Sequence, residues 1–205
     1  MIKKALTAVA LVAAFATSAS AATVIVSANK STGVVSGFGT DIGAATWSQL
    51  PGVVSGSVGG KYRSPYDEGI GGTTEYFTVG SPDLPQSPAI LRLTSAKNSF
   101  MMLWGSLDDY NAVTFCFGET CDTVSGVQVR NATMNASSGV TNSIVTFSSD
   151  FYFDTVFFRS DFNRAGDQAA FEFALAPVPV PLPAGGLLLL GALGGIAALR
   201  RRKAV

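Results

Sequence analysis

The residues able to do chemistry are few, and their spacing is informative. Cys116 and Cys121 flank Phe117-Gly118-Glu119-Thr120. Gly118-Glu119 reads as a tight turn, so the two cysteines face each other across a hairpin, where a disulfide can close. A redox pair is the alternative, but the C-x-x-C spacing is absent. Asp108 and Asp109 stand together in "GSLDDYN". Paired carboxylates suit acid–base work or calcium, whereas the flanking residues read as an exposed turn. Asp150, Asp154, Asp161 and Asp167 are scattered on predicted loops, among which one calcium site is conceivable. Trp47, Tyr62, Tyr66 and Tyr110 are candidates for stacking on sugar rings, while Trp104 falls in an apolar run and reads as core.

What is missing is as restrictive. The chain has no histidine, so a Ser-His-Asp triad is impossible and the commonest zinc ligand is gone. Neither a P-loop nor a dinucleotide-binding glycine pattern follows a strand. No metal site and no cofactor is assigned beyond that conceivable calcium ion, and the reading is non-enzymatic.

The elements that must position these residues are short and β-rich. Runs at Thr23–Ser27, Thr74–Val79, Ala89–Thr94, Phe100–Trp104, Ala112–Phe117, Gly126–Arg130, Ser143–Phe147, Asp154–Arg159 and Ala170–Leu175 alternate or carry β-branched and aromatic residues between turn signals. Phe171, Phe173 and Leu175 share one face, with Glu172 and Ala174 opposite. An all-β, antiparallel β-sandwich is expected over residues 22–176, jelly-roll-like by first choice and a barrel by second. Residues 33–72 are rich in Gly and Ser, hold the "KYRSPYDEG" cluster, and read as long loops with a strand near Val53–Val58.

The two ends carry targeting information. Residues 1–21 combine Lys3 and Lys4, an apolar run and an Ala19-Ser20-Ala21 cleavage site, the three parts of a signal peptide. The net charge of zero conceals an asymmetry: six of the 14 basic residues lie in the terminal segments, leaving eight against 14 acidic in the body, a net of −6. Nucleic acid is a poor partner for such a body. Residues 177–183 form a proline-rich, extended linker. Residues 184–199 are apolar all round, the pattern of a transmembrane helix about 24 Å long at ~1.5 Å per residue. Arg200, Arg201, Arg202 and Lys203 would hold its cytoplasmic end and set orientation.

The ordered set of Val180-Pro181-Leu182-Pro183-Ala184, apolar helix and basic tail resembles the sorting signals of the PEP-CTERM class, in particular the VPLPA-CTERM variant, over residues 180–205. The resemblance implies processing by an exosortase that recognises this box and removes the helix. It implies export, residence in the inner membrane with the body periplasmic, then delivery to the cell surface or outside it. The stretch from Ser99 to Gly126, with "WGSLDDYNAVTF", is similar to a core common among exosortase-dependent surface proteins. Asp154 to Ala174 resembles their closing strands, except that Phe171-Glu172-Phe173 is followed by Ala174 rather than an acidic residue. Two functions are therefore expected from different classes: a surface or extracellular-matrix protein, or a carbohydrate-binding module acting on exopolysaccharide.

Overall fold

The computed structural model describes residues 23–30, 35–66, 68–80, 87–132, 141–160 and 170–178. The signal peptide, the sorting box Val180–Ala184, the apolar segment 184–199 and the basic tail lie outside the described residues. Among the described residues no helix is long and apolar enough to cross a membrane.

Nine strands and one short helix make the described chain all-β and antiparallel. The strands are β1 (Val24–Lys30), β2 (Ala45–Gln49), β3 (Gly52–Ser55), β4 (Glu75–Val79), β5 (Ala89–Ser106), β6 (Ala112–Phe117), β7 (Thr120–Ser125), β8 (Thr141–Arg159) and β9 (Phe171–Leu175). The helix α1 covers Gly126–Ala132.

Two strands are far longer than the rest, and they organise the fold. β5 and β8 pair along nearly their whole lengths, but the register shifts between Arg92 and Ser99, and each strand changes its other neighbour there. The N-terminal half of β5 pairs with β2, its C-terminal half with β9. The N-terminal half of β8 pairs with β1, its C-terminal half with β6. Irregularities of this kind let a strand bend and pass from one layer to another. One layer thus reads β3-β4-β9-β5-β8-β1, and the other β2-β5-β8-β6-β7.

Aromatic rings fill the space between the layers. Phe158 on β8 stacks on Phe173 of β9 with centroids 4.2 Å apart and planes 5° from parallel. Phe115 of β6 meets Phe147 of β8 at 4.8 Å, and Trp47 of β2 meets Phe77 of β4 edge-on at 5.1 Å. Each pair joins the two layers, so the arrangement is sandwich-like. Trp104 is fully buried against Phe171, with its indole N–H donated to the Ser106 carbonyl at 3.0 Å.

Several sequence expectations change. Gly126–Arg130 is helical, not a strand: Ser125 caps the helix, exchanging hydrogen bonds with Gln128, and Val129 turns into the core. Ala89–Thr94 and Phe100–Trp104 belong to one strand, as do Ser143–Phe147 and Asp154–Arg159. The polar "KNS" and "SSD" segments between them mimic turns, yet they mark the shifted ladder where the layers exchange strands. β9 is buried on both faces rather than one. The reason is the excursion formed by the segments before β2 and after β3, which lays Val35, Phe38, Tyr62 and Tyr66, with Val54 of β3, against Tyr76, Leu103, Ala174 and Ile144, forming a second small core outside the sandwich. Finally, the folded body reaches Val178. This residue is buried, its carbonyl accepts the Ala44 N–H at 3.0 Å, and it bridges in parallel to Gly43.

Candidate functional site

The excursion that covers β9 also builds a cleft. Val58 and Tyr62 close a tight turn on each other, Val58 N–H to the Tyr62 carbonyl at 2.9 Å and Tyr62 N–H to the Val58 carbonyl at 3.1 Å. Gly60 in that turn adopts φ +74°, a conformation that side chains with a Cβ rarely take. Between this turn, the Glu68–Ile70 strip and the β5 and β9 ends lies a cavity of about 540 Å3. Cavities of this size suit small-molecule sites. Its lining includes Lys61, Tyr62, Arg63, Glu68, Ser106, Tyr110 and Glu172.

Glu172 is the unusual residue. It is only 2 % exposed, as the second residue of β9. One carboxyl oxygen, Oε1, accepts the Arg63 N–H at 2.9 Å, and the other accepts the Ser106 hydroxyl. The carboxyl therefore ties the cleft turn to β5 and β9. Burial raises its pKa above the usual carboxylate value and the Asp108 charge adds to this, against the opposing effect of the Ser106 and Arg63 hydrogen bonds. The strand packing leaves no room beside it. A Cβ on Gly105 would meet the Glu172 carbonyl oxygen at 2.9 Å, so only glycine fits there without displacement.

Glu68 is fixed as firmly. Its carboxylate accepts the Thr74 N–H at 3.1 Å and the Thr74 hydroxyl at 2.7 Å, while its carbonyl accepts the Ser57 hydroxyl. Behind the cleft, Asn111 donates its side-chain amide to the carbonyls of Ser106 and Ala170. The two carboxyl groups at the floor are thus held by protein partners, beside the cationic side chains of Lys61 and Arg63 and two tyrosine rings.

The four aromatic candidates divide. Tyr62 and Tyr110 both line the cleft, and Tyr110 donates its hydroxyl to Asp108 at 2.9 Å. Tyr66 does not serve as a surface platform. It is 1 % exposed, its hydroxyl donates to the Phe38 and Glu75 carbonyls, and burial next to the Glu68 charge pushes its pKa up to about 12. Trp47 likewise packs inward, against Phe77, Phe158 and Phe173. Tyr76, which the sequence did not single out, is fully buried beside Tyr62 and Tyr66 and donates to the Gly56 carbonyl at 2.6 Å. Its pKa is raised, first by burial and then by the Glu172 charge.

The other sequence candidates fall away from the cleft or into local roles. Cys116 and Cys121 are disulfide-bonded, opposite each other on β6 and β7 with Cα atoms 4.2 Å apart, and Gly118 takes φ +59° in the two-residue turn. Asp109 is exposed, Asp150 accepts the Thr23 N–H, and Asp154 accepts the Thr155 hydroxyl. Asp161 and Asp167 lie outside the described residues, as do Val180–Ala184 and Arg200–Lys203. Among the described residues no three potential metal ligands converge.

Sequence reasoning did not single out Glu172, Glu68 or Ser106 as site residues. A lone acid inside the apolar "FEFAL" strand was the available signal for Glu172, because a charge at such a position must be paired or placed in a polar pocket. Comparison with known proteins adds no relative: no family model, no curated protein and no solved structure matches the chain.

Proposed function

We propose that this chain is a non-enzymatic exported protein of the cell surface or extracellular matrix, sorted by an exosortase that recognises Val180-Pro181-Leu182-Pro183-Ala184 and removes the C-terminal helix. The observation that carries this reading is the ordered box, apolar run and basic tail of residues 180–205. The body geometry is compatible with such a cut. Val178, which is hydrogen-bonded to Ala44 and Ile42, precedes the box, so cleavage at or beyond the box removes none of the described residues. A disulfide-closed hairpin suits an oxidising compartment outside the cytoplasm. In this reading the body is jelly-roll-like, sits on the periplasmic side while the helix holds the inner membrane, and reaches the surface after processing.

The test is replacement of Pro181, Leu182 and Pro183 together by alanine in the native cell. Full-length protein should then accumulate in the membrane fraction, whereas the unaltered protein should lack its C-terminal peptide at intact mass. An unaltered protein that keeps that peptide refutes sorting and leaves a plain membrane anchor. The second reading, a carbohydrate-binding module acting on exopolysaccharide, is favoured by one observation: two of its four aromatic candidates, Tyr62 and Tyr110, line the same cleft.

A further inference from the structure

The cleft has a chemical character that narrows its ligand. Its rim carries Ile70, which is 94 % exposed and therefore contributes almost nothing to the core. Together with the rings of Tyr62 and Tyr110 it provides apolar surface, while Lys61 and Arg63 bring cationic donors to the same space. A cation is disfavoured as occupant. The carboxylates of Glu68 and Glu172 are already satisfied by Thr74, Ser106 and the Arg63 N–H. An isolated anion is disfavoured too, because these two acids line the same cavity and Asp108 stands behind Tyr110. A peptide added as an extra strand is excluded at this place, since the edge strand β3 contributes no lining residue. What remains is an uncharged molecule with both an apolar face and many hydroxyls.

We infer that the cleft is a saccharide site that takes a neutral pyranose unit of an oligosaccharide, with its C–H face on Tyr110 and Ile70 and its hydroxyls toward Lys61 and Arg63. Tyrosine offers a flat apolar ring with a polar tip, which matches a sugar's two characters. The inference rests on the carbohydrate-binding reading and gives it a location. Glu172 is a positioning residue here: through the Arg63 N–H and the Ser106 hydroxyl it holds the turn that carries Tyr62.

The experiment titrates the full chain, purified in a zwitterionic detergent, with maltohexaose, cellohexaose, laminarihexaose and chitohexaose by calorimetry. At least one should bind, and Ile70→Asp and Tyr110→Ala should each weaken that binding about tenfold or more. Ile70→Asp is the safer variant, because so exposed a side chain can be changed without unfolding the protein. Tyr152→Ala, exposed on β8 away from the cleft lining, should bind as the unaltered chain does. If none of the four binds, the carbohydrate reading itself is overturned. If one binds and both cleft variants bind it as tightly as the unaltered chain, that reading survives and the cleft is not the site.

Discussion

Replacing Glu172 by glutamine should make the protein more stable than wild type at neutral pH and not at acid pH. Glutamine preserves the shape and both contacts: its Oε1 can accept the Arg63 N–H, and its amide can donate to the Ser106 hydroxyl. Only the ionisation is lost. Burial holds the folded-state pKa of Glu172 above the ordinary value of 4.5, so the folded protein retains a proton that the unfolded chain has released. The contribution of the protonated carboxyl is complete below 4.5 and is lost as pH rises through the raised folded value. Between those two points one proton separates the states, which sets a limiting slope of about 1.4 kcal/mol per pH unit. The measurement is urea unfolding of both proteins from about pH 4 to about pH 8, taking the difference at each pH so that all other carboxylates cancel. Wild type should fall behind Glu172→Gln progressively above 4.5 and then level off. A flat difference, or a wild type that gains with pH, would show that the Ser106 and Arg63 hydrogen bonds outweigh burial, and the electrostatic account of the cleft floor would be wrong.

Phe158→Ala should cost about 3–5 kcal/mol in urea unfolding, because the ring stacks on Phe173 and packs near Phe100 and Phe171 of the other layer and Trp47 of its own. A cost below about 1 kcal/mol would mean that the layers are not held by these rings. Reducing the Cys116–Cys121 bond should lower stability by about 2 kcal/mol and leave the fold intact, since it closes a loop with a sequence separation of only 5. Alkylation without reductant should label neither thiol. In an alkaline titration followed by tyrosinate absorbance, two of the five tyrosines, Tyr66 and Tyr76, should ionise late. Their folded pKa values are raised, so the stability they contribute is complete below the ordinary value of 10.0 and is lost as pH climbs, for Tyr66 through about 12. Five tyrosines titrating together near 10.0 would contradict their burial.

The strands were legible where alternation was local. Phe171 and Phe173 lie in the core as the alternation of that strand implied, and the hairpin turn at Gly118 brings Cys116 against Cys121 as the spacing implied. Trp104 was recognisable as core from its apolar neighbours. The helix at Gly126–Ala132 was not, because a seven-residue segment with two valines has the composition of a strand and is decided by its Ser125 cap and by the packing of Val129.

The aromatic candidates show the boundary most clearly. Trp47, Tyr62, Tyr66 and Tyr110 are chemically equivalent as a list, and nothing in their spacing says which face solvent. The excursion over β9 decides it, because covering that face buries Tyr66 and leaves Tyr62 at the rim. Glu172 belongs to the same lesson: its neighbours in sequence are apolar, and its two hydrogen-bond partners come from 109 and 66 residues away. From the sequence by itself followed the all-β class, the hairpin disulfide and the charge asymmetry between body and ends, since each depends on local pattern or composition. The exchange of β5 and β8 between layers, the second small core and the cleft were decided only by tertiary structure, because they arise where segments distant along the chain compete for the same buried surface.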